Sequence, residues 1–211
     1  MDIPEEIEIL RNDIVWARHY LNQYKKLYLH NQSRIDLLNE VAPNFFRDIQ
    51  RILWDEMIIS VAKLADPHTQ KRNRNLSLRI LSELAKENNW EFGFELDNLI
   101  NEAIEKAKPI IKRRMKHTAH RDLPTALGQA TLEKVNINEI DEVLILAGKA
   151  LNLVYQKLSN YMWSWDLVSG HDANELVYYL KLAVISKDLQ KEEKDWKKES
   201  ELWNNSRYFN A

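Results

Sequence analysis

The stretch LDNLINEAIEKAKPIIKRRMKHTAHRD, Leu96 to Asp122, carries the pattern from which the rest of this 211-residue chain is read. Leu96, Leu99, Ile100, Ala103, Ile104, Ala107, Ile110 and Ile111 recur at three- and four-residue steps, continued by Arg114 or Met115 and Thr118. That period is the mark of an amphipathic α-helix. Pro109 falls inside it without shifting the phase. A kink is expected there, because proline removes one backbone hydrogen bond and crowds the preceding turn. Leu123-Pro124 is expected to end the helix, with Thr125 to Val135 as a connection.

The last turns of this helix are cationic. From Lys106 to Arg121 the chain holds Lys106, Lys108, Lys112, Arg113, Arg114, Lys116 and Arg121 and no acid, whereas the whole chain has formal net charge -2. A cation cluster on a nearly neutral chain points to an anion. His117 and His120 lie inside it, and histidine is the side chain that changes charge near neutral pH. Cations that grip a phosphate beside a proton carrier are a minimum kit for cleaving a phosphodiester. On an α-helix, Arg113, His117 (or Lys116) and His120 share a face, and Arg114 lies about 120° from His120. Asp122, just beyond, is placed to hold the His120 ring or a guanidinium. The plainer reading of the same residues is a solvated cationic helix end that balances the helix dipole.

Composition agrees with a helical protein. Gly 4 and Pro 5 are low counts, and 45% hydrophobic with 29% charged residues suit a single all-α domain with its own core. Cys 0 excludes disulfides and thiolate metal sites. No apolar run reaches membrane-spanning length, and the acidic start MDIPEEIEIL lacks the basic opening of a secretory signal. A cytoplasmic protein is expected.

Working outward, Asp2 and Pro4 open a helix whose stripe is Ile7, Leu10, Ile14, Ala17, Leu21, Tyr24 and Tyr28. Ser33 with Asp36 resembles a capping box for a second helix. Pro43 then hands over to a long helix from Asn44 to Ala65, apolar on more than one side and therefore expected to be central. Asp66-Pro67 ends it, and His68 to Asn75 is a polar connection. Asn75 or Ser77 is expected to cap a short helix through Lys86. On the far side of the basic segment, Asn138 with Asp141 is expected to cap a helix running to Tyr161. Asp172 with Glu175 forms a capping box for Ala173 to Leu189. From Gln190 the chain is highly charged with scattered aromatics, which suggests a solvated helix end or an arm docking on a partner.

Other chemistry is thin. His19, His30 and His68 are isolated, with no partners at metal-ligand spacing, so no metal site is expected. His171 beside a helix cap is read as structural. Asp55-Glu56 reads as a solvated edge, from which one acid can face the basic site. Most of the seven Trp are expected in the core or on a dimer surface rather than as base-stacking platforms. There is no Gly-rich phosphate loop and no nucleophile elbow, and no cofactor is expected.

Arg114-Met115-Lys116-His117-Thr118-Ala119-His120-Arg121-Asp122 resembles the signature of the HEPN superfamily, an Arg followed after four to six residues by His. Its extended form, Arg-Asn/Asp-Lys-x-x-Ala-His-x-Asp, is similar to the branch of AbiU-type abortive-infection proteins. Met115 stands where that branch carries a polar residue. The likeness extends to Leu64-Ala65-Asp66, to Asn75-Leu76-Ser77-Leu78, and to Gly170, Asp172 and Leu176, spanning roughly Ile7 to Leu189. The resemblance implies an HEPN-like helical bundle, residues 1–190, followed by a charged C-terminal tail, 191–211. It also implies a metal-independent ribonuclease, usually a homodimer with both motifs lining one cleft, of a phage-defence or toxin–antitoxin type. Arg114 would then polarise the scissile phosphate and His120 would transfer protons, with Lys116 and Asp122 at the flanking family positions. Arg113, an alternative anchor at the longest allowed gap, joins Lys116, His117, Arg121 and Asp122 of the basic cluster as the residues expected to bind substrate. RNA, a second copy and an antitoxin protein are the implied partners, with no membrane. The alternative is a non-catalytic helical module that uses the same cations to hold RNA or an acidic partner.

Overall fold

In the computed structural model the residues described are 3–70, 73–118, 123–129, 131, 133–164 and 171–193. They form eight α-helices, one π-helical turn and a two-residue β ladder. The helices are α1 (Glu5–Tyr28), α2 (Gln32–Val41), α3 (Pro43–Leu64), α4 (Arg79–Glu87), α5 (Gly93–Arg113), α6 (Leu123–Ala126), α7 (Ile137–Ser159) and α8 (His171–Glu193). The all-α bundle expected from composition and periodicity is what forms. No helix among the described residues is long and apolar enough to cross a membrane.

Antiparallel pairing of α5 with α7, and of α1 with α3, builds the main core. The apolar stripe of α5 is buried as its period requires: Leu96, Ile100, Ala103, Ile104, Ala107 and Ile110. Opposite it, α7 buries Ile140, Val143, Leu144, Ala147, Gly148, Ala150, Leu151 and Val154. Small residues on both faces let the two backbones approach closely, as ridges-into-grooves packing needs. In α1 the predicted stripe Ile7, Leu10, Ile14, Ala17 and Leu21 is almost fully buried. The helix α3 touches α1, α2, α5 and α7, so it is central as its wide apolar surface suggests. A second, smaller cluster joins Leu27, Tyr28, Leu37, Leu38 and Phe46 to Ala173 and Val177 of α8.

Helix starts differ from expectation in three places. Asn31, not Ser33, caps α2 by accepting a hydrogen bond from the Arg34 backbone N–H at 2.9 Å. Asn136 and Glu139, not Asn138 and Asp141, form the capping box of α7. At α4 neither Asn75 nor Ser77 caps: the Asn75 side chain donates to the Pro67 carbonyl at 2.8 Å, and Ser77 is fully buried. In its place the Leu78 backbone N–H donates to the Leu64 carbonyl at 2.8 Å, tying α4 to the end of α3.

The connection after α3 is not wholly irregular, since Thr69–Gln70 (β1) pairs antiparallel with Asn73–Arg74 (β2). Nor is the chain after Leu123 a plain connection, because Leu123–Ala126 makes one helical turn with Pro124 in its first turn, where a missing N–H is tolerated. The first turn of α8 begins at His171, so Asp172 lies inside the helix. The helix also runs past the expected Leu189, to Glu193. Of the charged tail, 194–211 lies outside the described residues.

Candidate active site

The helix α5 carries Pro109 in its interior and continues to Arg113. At Arg114 it widens into a π-helical turn, Arg114–Thr118. The N–H of Arg114 still reaches back to the carbonyls of Ile110 and Ile111. Beyond it the i→i+5 register changes the angular phase, so the α-helical alignment of Arg113 with His117 does not carry through. Single π turns inside α-helices recur at functional sites.

Two adjacent arginines leave α5 in different directions. The Arg114 Nη1 and Nη2 each donate to one oxygen of Asp66, both at 2.8 Å, in a two-pronged ion pair. Both side chains are about one-fifth exposed, 20% and 22%, so the pair sits at the surface edge of the bundle with one side open. Arg113 turns inward. Its Nη1 donates to the Glu133 backbone carbonyl at 2.9 Å, and its guanidinium carbon lies 5.9 Å from the centre of the Trp54 ring. The Arg113 Nε is buried. Arg113 therefore pins the segment before α7 onto α3 and α5.

Asp66 is the partner of Arg114 that spacing could not reveal. It follows the last turn of α3, whose C-cap is Ala65, and it meets Arg114 because α3 packs against the π turn. The only sequence signal was its place in the Leu64-Ala65-Asp66 segment.

A guanidinium offers five N–H donors in a rigid plane. Asp66 takes one from each terminal nitrogen, which fixes the plane and leaves three donors for another anion. Phosphate oxygens match that fork in the same two-pronged way as a carboxylate. Met115, Lys116 and His117 are exposed on the π turn next to it. The candidates His120, Arg121 and Asp122, with Ala119, lie outside the described residues.

The remaining histidines have other surroundings. His68 Nε2 is 3.2 Å from Glu83, which also pairs with Arg74 at 2.7 Å. His19 meets the Trp16 ring edge-on at 5.5 Å. Among the described residues no three His, Asp or Glu side chains cluster as metal ligands.

The family model HEPN_AbiU2, described as AbiU2, matches residues 3–179. This chain belongs to the AbiU2 family of HEPN proteins. The match runs from the start of α1 into α8, so this AbiU2-family chain carries the whole described bundle within it up to Tyr179. Both halves of the ion pair, Asp66 and Arg114, fall inside that span. No curated protein and no solved structure matches this AbiU2-family chain.

Proposed function

We propose that this AbiU2-family chain is a metal-independent endoribonuclease of a phage-defence or toxin–antitoxin type system, acting in the cytoplasm as a homodimer. The observation that carries the reading is the Arg114 guanidinium, held flat by Asp66 at the head of an exposed cationic turn. An anchored fork is what a transferring phosphoryl group needs, since its developing charge sits on oxygens whose positions are fixed.

In the proposed step the ribose 2′-oxygen attacks phosphorus in line. The P–O2′ bond forms as the P–O5′ bond breaks, giving a 2′,3′-cyclic phosphate and a 5′-hydroxyl. One histidine accepts the 2′-hydroxyl proton while another group delivers a proton to the departing 5′-oxygen. Arg114 binds the non-bridging oxygens throughout, and His120 is the proton carrier. One Arg–His pair offers too few groups to hold a phosphate and move two protons, so two copies with their motifs on one cleft are proposed. Lys116, His117, Arg121 and Asp122 line the RNA path, and a neutralising antitoxin protein is a further partner.

A second reading, a non-catalytic module that holds RNA or an acidic partner, draws on Met115. Its exposed thioether, 58% accessible, takes the place of a polar side chain and cannot orient a histidine. The deciding experiment incubates the full chain, His120→Ala and Arg114→Ala with a broad RNA panel in excess chelator. Under the ribonuclease reading only the wild type cleaves, His120→Ala still binds, and Arg114→Ala loses both. Intact RNA bound by the wild type selects the module instead.

A further inference from the structure

Between α1 and α3 lies a cavity of about 210 Å³ lined by Asp13, Trp16, Tyr20, Glu56, Ser60 and Lys63, with Leu64 and Leu76 beneath. Leu64 is the last residue of α3, two positions before the Asp66 that holds Arg114. The cavity therefore borders the end of α3 that is followed by Asp66. Its volume is below the range of pockets that enclose drug-sized ligands, and suits one planar ring system.

The lining is unusual for a gap between two helices. Trp16 is 57% exposed, which leaves its indole accessible to a ligand. Its ring stands 6.1 Å from Tyr20 at an interplanar angle of 31°, so the two form a shelf. His19 braces the same ring edge-on. Around the shelf stand two acceptor groups, Asp13 and Glu56, and two donors, Ser60 and Lys63. The Ser60 hydroxyl donates to Glu56 at 3.3 Å and steadies that carboxylate. No ion pair or hydrogen bond among the described residues engages Asp13. Partial desolvation raises its pKa above the ordinary 3.8, opposed by the attraction of Lys63.

We propose that this cavity receives a guanine base of the RNA, stacked on Trp16 and recognised at its Watson–Crick edge by Asp13 or Glu56. Unpaired RNA bases are held by stacking on aromatic side chains and by hydrogen bonds to that edge. A carboxylate can only accept, and guanine alone among the four bases shows two adjacent donors, N1–H and N2–H. Next to them lies O6, an acceptor that suits the Lys63 ammonium. Adenine and cytosine place a ring-nitrogen acceptor beside their amino group, and uracil shows a single N–H between two carbonyl oxygens, so each opposes an acceptor lone pair to one oxygen of the carboxylate. The inference rests on the reading of the chain as RNA-binding and names which RNA it takes.

The test measures affinity of the full-length His120→Ala chain, which keeps every cation, for three short oligoribonucleotides. One is all uridine, and the others carry a single central guanosine or adenosine. The guanosine oligonucleotide is expected to bind about tenfold more tightly than the other two. Asp13→Asn with Glu56→Gln brings it to their level, and Trp16→Ala weakens all three about tenfold. Equal affinity for the three oligonucleotides overturns the base site and leaves the RNA reading standing. Absence of binding to any of them overturns both. Full RNA affinity and preference in Trp16→Ala also overturns the site, and assigns the exposed shelf to a protein surface.

Discussion

Asp66 and Arg114, separated by 48 residues in the sequence, close a two-pronged ion pair whose two hydrogen bonds are both 2.8 Å. The pair fixes the orientation of the guanidinium and at the same time places a negative charge beside it. Asp66 therefore has opposite effects on geometry and on anion affinity. Replacing Asp66 with Ala is expected to lower cleavage by roughly ten- to a hundredfold, the scale of a small misplacement of a catalytic group. RNA affinity at low salt is expected to hold or rise, because a competing carboxylate is gone. Cleavage assays paired with anisotropy titrations check this, and equal losses in both would show that Asp66 only supports the fold.

Arg114→Lys keeps the charge and removes the fork. A lysine ammonium is a point donor that cannot match two phosphate oxygens in one plane. Cleavage by this variant is expected to resemble Arg114→Ala more than wild type, while RNA binding stays closer to wild type. If Lys restores full turnover in single-turnover assays, charge alone suffices and the two-pronged geometry is irrelevant.

Salt dependence reports how many cations meet phosphates. Arg113 donates to Glu133 and faces Trp54, so it is left out of the count. Arg114, Lys116 and Arg121 remain, and three contacts to a single strand predict a log–log slope of roughly -2. Titrations between low and moderate salt measure it. A flat line would reduce the basic segment to a solvated helix end.

Asp141 sets an acid limit on stability. Its burial on α7 pushes the carboxyl up, but hydrogen bonds from Lys25 and Arg18 of α1 outweigh that and hold it below 3.8. A carboxyl lowered on folding stabilises the protein at pH above its unfolded value, and that stabilisation is lost as pH falls through the lower folded value. Asp141→Asn should therefore cost about 1–3 kcal/mol near neutral pH. The difference from wild type should close as pH falls from 3.8 through the lower folded value. Urea unfolding across that range tests the sign, and a gap that stays constant with pH would contradict it.

Light scattering addresses the proposed homodimer. At micromolar concentration the full chain is expected at twice its 25.1 kDa mass. A monomer at that concentration would leave one Arg–His set per active unit and remove the two-copy cleft from the mechanism.

The sequence by itself determined the class of fold and the address of the basic motif. Helical period is a local property, so the stripes Ile7 to Leu21, Leu96 to Ile110 and Ile140 to Val154 name the buried faces of α1, α5 and α7 without any knowledge of their partners. Caps were less legible. Asn31 and Ser33, or Asn136 and Asn138, carry the same capping chemistry within two residues of each other, and packing of the following apolar stripe chooses between them. Asp141, a plausible capping acid in sequence, is drawn to Arg18 and Lys25 of α1. Only the tertiary structure decided that Arg113 turns into the bundle while Arg114 meets Asp66, and that α5 ends in a π turn. Those outcomes depend on contacts between segments far apart in the chain, and a contact of that kind leaves no period and no spacing to read.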